Sequence, residues 1–449
     1  MTNIFNTRNI LMFLIPSLIG IGLFMLPLQY DGITSIPVAI LAKMFQQGLS
    51  DIIIELVCIV ITISALLSIF FSTLQPRSVH HSSLVGSLFI VSPAWLIVRC
   101  LGAAFAILVY SKKGSAMIWS ENTGGLLLHD LMPILFSVFI FAGLLLPLLL
   151  NFGLLELVGT LFSKIMRPLF KLPGRSAIDC TTSWLGDGTV GVLLTSKQYE
   201  QKLYTQKEAA VVGTTFSAVS ITFSLIVIAE VGLVHLFIPF YFAVCLAGFV
   251  AALVVPRLPP LSFKKNLYID GTQPDPNAHA IPEGENIFNH AFKLALQRSS
   301  SIKSIRAILM QGVHNAAEMV FVVLPVVMGI GTMALMLAEF TPLFDYLGMP
   351  FLPYLELLQI PEADKAAKTV VIGFADMFLP SILIASVESE MTRFVVAALS
   401  ITQLIYMSEV GAMLLGSKIP VNLFDLFIIF ILRTIVTLPV IALVAHFVF

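Results

Sequence analysis

The sequence predicts an all-α polytopic membrane protein: about nine transmembrane helices plus two re-entrant helical hairpins, arranged as an inverted repeat. Three observations carry this. Of 449 residues, 58% are hydrophobic and only 11% are charged, and the mean hydropathy is +0.96. Soluble domains carry roughly 25% charged residues, so a water-soluble fold of this size has nowhere to hide so much apolar surface. Apolar runs near the roughly 20-residue length of a bilayer crossing recur along the chain. Two longer stretches are broken by Pro and Gly and carry carboxylates.

The apolar runs are Ile10–Leu28, Ile52–Ser72, Leu88–Tyr110, Leu131–Leu150, Ala209–Glu230, Gly232–Val255, Glu318–Phe340, Phe394–Gly416 and Val421–Phe447. The first follows Arg8, is nearly membrane length, and has no small-x-small cleavage pattern after it, so it reads as a retained helix rather than a signal. The interrupted stretches are Gly153–Glu200 and Thr341–Glu390. Irregular backbone at membrane depth is tolerated only where protein or a water-filled cavity surrounds it. Both therefore read as helix–loop–helix hairpins that enter the membrane and return.

One segment is truly polar. Residues 257–306 hold the turn-rich run Tyr268–Asn277 together with Arg257, Lys264, Lys265, Lys293, Arg298, Lys303 and Arg306. The positive-inside rule places this linker in the cytoplasm. The N-terminus then falls inside and the C-terminus outside; Lys112 and Lys113 fall outside, against the rule. The expected organisation is a three-helix region at 1–130, a first repeat at 131–256, the linker at 257–306 and a second repeat at 307–449. Each repeat has a span, a hairpin and two further spans, an odd number of crossings, so the second must be inverted. Leu172-Pro173 and Gly186-Asp187 in the first correspond in order to Ile360-Pro361 and Ala375-Asp376 in the second. Paired broken segments in inverted repeats are the pattern of secondary transporters, with solute held near the midplane.

Several classes are excluded or unsupported. A net charge of −1 gives no electrostatic case for nucleic acid. Cys58, Cys100, Cys180 and Cys245 are scattered without metal or disulfide spacing. No phosphate-loop, nucleophile-elbow, zincin or dinucleotide fingerprint is present, so neither an enzyme, nor a resident cofactor, nor ATP-driven transport by this chain alone is expected.

Charge inside a bilayer costs about 2.5–3.5 kcal/mol per residue on insertion scales, so carboxylates in apolar runs are functional candidates. In the first hairpin Asp179, Thr181, Thr182, Ser183, Asp187 and Thr189 cluster around Gly186 and Gly188. In the second, Asp376 and Ser381 occupy the corresponding place. Glycines let backbone unwind there, and hydroxyls with a carboxylate suit a polar solute or a cation such as Na⁺ near Asp187 and Asp376; a capped hairpin turn is the plainer alternative. Glu388 and Glu390 suit the water interface. Thr214, Thr215, Ser217, Ser220, Thr222 and Ser224 follow the first hairpin and are expected mostly to bond to their own helix. After the second hairpin Gln403, Tyr406 and Glu409 fall at three-residue steps, roughly one helical face, suited to a polar ring or an amino acid. Arg99 and Arg433 are expected to pair with carboxylates across helices.

The stretch Ser183-Trp-Leu-Gly-Asp-Gly-Thr-Val-Gly191, followed by Lys207-Glu-Ala-Ala-Val-Val-Gly-Thr-Thr-Phe216, resembles the YjiH family of bacterial inner-membrane proteins. That family carries the Gate, or nucleoside-recognition, domain, and the resemblance extends from about Leu131 onward. Similar domains occur in concentrative nucleoside transporters, in membrane domains of ferrous-iron transporters and in spore maturation proteins. In the nucleoside transporters the hairpin tips and the broken helices behind them hold the substrate, so the resemblance implies that architecture without assigning any residue. The expected function is ion-coupled transport, driven by Na⁺ or H⁺, of a small polar metabolite such as a nucleoside. The alternative is a non-transporting subunit of a larger assembly. The expected partners are the lipid bilayer of a bacterial inner membrane, a small polar solute, and either further copies of the chain or a membrane partner subunit.

Overall fold

The computed structural model describes residues 6–26, 28–30, 33–74, 84–185, 188–216, 219, 221–274, 286–302 and 304–449. Asp187, Ser217, Ser220 and Lys303, each singled out in the sequence, lie outside the described residues.

The fold is helical, with a single two-stranded ribbon, Leu28–Tyr30 against Ile33–Ser35, among the described residues. Seven helices among those residues are long and apolar enough to cross a membrane: Thr7–Met25, Ile53–Thr73, Pro93–Ser111, Leu126–Leu150, Val234–Arg257, Ile305–Phe340 and Leu423–Val448. Ile59, Ile63, Leu66 and Phe70 are spaced three or four residues apart on the second of these and are all exposed. An exposed apolar stripe at helical period is a lipid-facing surface. Glycine permits the closest crossing: a Cβ at Gly102 would come within 2.1 Å of the Pro325 carbonyl oxygen, so Pro93–Ser111 can lie against Ile305–Phe340.

The other two expected spans are interrupted. Gln206 opens the first on a capping box of Thr205 and Glu208. The helix widens into a π turn at Val212–Phe216 and resumes only at Ile221–Glu230. The second runs Glu390–Gln403, stops at Leu404 with φ of 64°, and restarts at Val410–Gly416. A leucine in the left-handed region costs on the order of 1–3 kcal/mol, so surrounding contacts must impose this break.

Both interrupted stretches of the sequence form hairpins. The first has arms Ser176–Leu185 and Gly188–Glu200. The second has shorter arms, Ala363–Val370 and Leu379–Ile384, joined through residues 371–378. The second arm of each hairpin packs on the distal half of the other unit's broken helix, Gly188–Glu200 against Val410–Gly416 and Leu379–Ile384 against Ile221–Glu230. This exchange is reciprocal.

The two broken helices run in opposite directions. At one end of the molecule the Gln206 and Lys207 amides donate to the linker carbonyls of Leu267 and Lys265, while Lys264 Nζ lies 2.6 Å from Asp425 Oδ2 at the start of the closing helix Leu423–Val448. At the other end Arg393 Nη1 donates to the Val231 carbonyl at 2.6 Å, and the Phe394 and Phe449 rings meet edge to face at 5.8 Å. The first broken helix thus starts where the closing helix starts, and ends where the second broken helix begins.

Candidate functional site

Two hairpin tips and two helix breaks converge on one cavity of about 180 Å³. Gly188 comes from the first tip and Met377 from the second; Val219 and Phe223 come from the first broken helix, and Tyr406 and Glu409 from the second. Most of the lining is apolar. Its polar contribution is concentrated at Tyr406 and Glu409, whose phenol donates to the carboxylate at 3.4 Å. A largely apolar cavity with a few convergent polar groups is the usual form of a small-molecule site.

The unwound backbone must find partners, because a bare amide or carbonyl at this depth is expensive. The second tip supplies some. Met407 N donates to Phe374 O at 2.8 Å and Ser408 N to Ala375 O at 2.9 Å, so a turn in the break is tied to the tip by two successive backbone hydrogen bonds. Asp376 locks this union. Its Oδ1 accepts from the amides of Phe378 at 2.8 Å and Leu379 at 3.2 Å, and its Oδ2 accepts from the Ser408 hydroxyl at 2.7 Å. The carboxylate therefore caps the second arm and holds the break against it.

Arg433, fully buried on the closing helix, supplies the rest. Its Nε and Nη2 donate to the Thr402 carbonyl at 3.0 and 2.5 Å. Its Nη1 donates to the carbonyls of Thr215 at 3.1 Å and Thr214 at 3.4 Å. Those carbonyls sit immediately before the two breaks, so one guanidinium staples both. The expected carboxylate partner is corrected by this geometry: planar guanidinium donors suit several carbonyls at once. Arg99 likewise meets neutral groups, Ser68 Oγ and Leu88 O, each at 2.7 Å.

The remaining expected residues divide. Asp179 is buried inside the first hairpin and accepts from Thr195 Oγ1 at 2.9 Å, Gln198 Nε2 at 2.5 Å and Tyr204 OH at 3.0 Å. It ties the two arms together rather than lining the cavity. Thr181 bonds back to Ala177 O at 2.7 Å, and Thr214 and Thr215 bond back to Ala210 and Val211, as hydroxyls on a helix commonly do. Thr182, Ser183 and Thr189 are buried close to the first tip, and Ser381 is buried in the second hairpin. Thr182 Oγ1 and Ser381 Oγ have no hydrogen-bond partner among the described residues.

The supposed helical face of Gln403, Tyr406 and Glu409 does not exist, because the helix ends at Gln403. Gln403 turns away and bridges Val370 O at 2.8 Å to Thr434 Oγ1 at 2.9 Å, while Tyr406 and Glu409 reach the cavity from the unwound segment. Glu388 and Glu390 are exposed.

One polar cluster is absent from the sequence reading. Lys197, buried on the first hairpin, pairs with Glu318 and lies 3.2 Å from Glu200; Lys418 lies 3.7 Å from Glu200 and 3.8 Å from Glu318. Two cations and two carboxylates thus join the first hairpin, the long helix Ile305–Phe340 and the end of the second broken helix. Lys197 and Glu200 sit at an i, i+3 spacing that was visible in the sequence; Lys418 carries no local signal.

The Gate family, described as nucleoside recognition, matches residues 132–234, a segment that contains the first hairpin and the first broken helix. An uncharacterized protein of Alkalihalophilus pseudofirmus is 48% identical over 440 residues, covering 98% of this chain and 95% of the relative. No solved structure matches the chain. With that relative aligned from end to end and the nucleoside-recognition segment seated at the cavity, the chain belongs to the Gate-domain family of multi-pass membrane proteins.

Proposed function

We propose that the protein is an ion-coupled secondary transporter of a small polar metabolite in the bacterial inner membrane, and that the solute is a nucleoside or a nucleobase. The observation that carries this reading is the convergence of both tips and both breaks on one cavity. Half-helices ending at a membrane-depth site present backbone dipoles to a solute, and opposed repeats give a geometry in which one unit can rock against the other. Phe223 and Tyr406 offer ring faces to a heterocycle, and the Tyr406–Glu409 pair offers hydrogen bonds to its polar edge.

At about 180 Å³ the cavity holds roughly six waters, taking about 30 Å³ for each. Ligand pockets commonly span about 300–1,000 Å³. A nucleoside therefore enters only when the tips separate, as alternating access requires. Glu409 is the carboxylate that lines the cavity, and it is therefore the one placed to meet the coupling ion, H⁺ or Na⁺.

The test is thermal stabilisation of the purified protein by nucleosides and nucleobases, followed by gradient-driven uptake into liposomes. A ligand that binds only the folded state raises Tm with concentration. Stabilisation and uptake together support the transporter. Dependence of all uptake on a second polypeptide supports the subunit reading instead.

A further inference from the structure

A second cavity of about 180 Å³ lies away from the tips, between the helix Leu154–Phe170, the entry to the first hairpin at Pro173-Gly174-Arg175, and the linker helix Ile287–Ser300. Three charged groups line it, Arg167, Arg175 and Glu156. Arg175 is 8% exposed, and its buried Nη1 has no hydrogen-bond partner among the described residues. Glu156 Oε1 lies 3.9 Å from Arg298 Nε, but its buried Oε2 has no partner among those residues. A buried polar atom left unmatched is costly, more so when charged, and two of them on side chains that line one cavity is an arrangement a ligand relieves. Arg167 adds positive charge to the lining. A simple anion satisfies Arg175 Nη1 and leaves Glu156 Oε2 unmatched. A simple cation does the reverse.

We infer that this cavity binds a zwitterion, an anionic group joined to a primary ammonium, with the anion on Arg175 and the ammonium on Glu156. A free amino acid and the headgroup of an ethanolamine phospholipid share that chemistry. The site is distinct from the central cavity and stands whether or not the chain transports a nucleoside.

The full-length protein in detergent is titrated with L-serine and with glycerophosphoethanolamine, and separately with acetate, inorganic phosphate and ethylamine, while Tm is followed. The inference expects Tm to rise and saturate with zwitterions only. The rise should vanish in Arg175→Gln and Glu156→Gln. It should also vanish in Gly159→Leu, whose side chain fills the cavity but leaves both charges; a Cβ there makes only ordinary contact with Arg175, 3.5 Å from its Cβ. If a charge variant fails to fold, Gly159→Leu alone decides. Native mass spectrometry on protein taken from nanodiscs containing phosphatidylethanolamine separates the two sources. A retained lipid that Arg175→Gln and Gly159→Leu lose, with no Tm response to L-serine, assigns the headgroup; a Tm response to L-serine without retained lipid assigns the free amino acid. Equal stabilisation by acetate or phosphate, a response that survives all three substitutions, or no binding in either arm overturns the inference.

Discussion

Replacing Arg433 with methionine removes a side chain that ties the two helix breaks together. Methionine keeps much of the volume and flexibility of the arginine stem, so the perturbation is chiefly the loss of four donated hydrogen bonds to Thr402, Thr214 and Thr215. Three buried carbonyls then lose this donor, at about 1–3 kcal/mol each, or about 3–9 kcal/mol in total. Relief from burying a guanidinium recovers several kcal/mol of this, which leaves a net destabilisation of about 3 kcal/mol. At about 2–4 °C per kcal/mol for domains of moderate size, Tm should fall by roughly 6–12 °C in detergent or nanodiscs. Arg433→Lys keeps the charge but cannot fork between both breaks, so it should lie between the two. Both variants should weaken ligand binding at the central cavity more than their loss of stability explains, because the breaks lose their common anchor. A Tm and a ligand affinity for Arg433→Met matching the unmodified protein would refute the staple.

Four further outcomes follow. Asp376→Ala should lower stability by about 0.5–2 kcal/mol, the usual range for a lost helix cap, and Ser408→Ala on that background should add almost nothing, since the two share a hydrogen bond; additive losses in a double-mutant cycle would disprove their coupling. Lys197→Met should cost about 3–5 kcal/mol, the scale of breaking one side of a buried ion pair, and urea or thermal unfolding reads it directly. Reporter fusions at Gly271 and Phe449 should give opposite compartments, cytoplasmic for the linker; matching compartments would contradict the antiparallel course of the two broken helices. Glu409→Gln should abolish accumulation but spare solute exchange if the coupling ion is a proton. It should abolish Na⁺-dependent binding if the ion is Na⁺, and counterflow in liposomes separates these from an unaffected protein.

The membrane environment was legible because lipid exposure leaves a compositional mark that no soluble fold mimics. The hairpins were legible because Pro173-Gly174, Gly186, Pro361 and Gly373 interrupt otherwise apolar runs. The unwinding at residues 404–409 was not legible from residues alone: Leu404, Ile405 and Met407 are apolar and buried, and hydropathy does not distinguish a buried helix from a buried extended strand. What breaks that helix is the second tip, which offers Phe374 and Ala375 carbonyls to Met407 and Ser408, a tertiary contact without a sequence signature. Asp179 and Asp376 were singled out on the same argument of intramembrane charge, yet their surroundings differ. Donors from the second arm and from Tyr204 just beyond it saturate Asp179 on the first arm, whereas Asp376 joins a tip to a break. Arg433 drew attention as an isolated charge, but only the fold brings it to carbonyls more than 200 residues away in sequence, with separations of 218 and 219 to Thr215 and Thr214.

The central claim is that the cavity enclosed by both tips and both breaks is where solute binds during transport. Phe223→Ala removes one ring face and Met377→Trp fills the space from the second tip, while both leave the side chains of Arg433, Asp376 and the ion cluster around Lys197 in place. The deciding measurement is counterflow of radiolabelled uridine, adenosine and their free bases in liposomes holding the unmodified protein or either variant, each under an imposed Na⁺ or proton gradient. The account predicts saturable uptake of at least one of these solutes by the unmodified protein, a raised KM for Phe223→Ala, and near-complete loss for Met377→Trp with the fold intact by Tm. Uptake unchanged by Met377→Trp, or no gradient-driven uptake of any of these solutes by the unmodified protein, would contradict it.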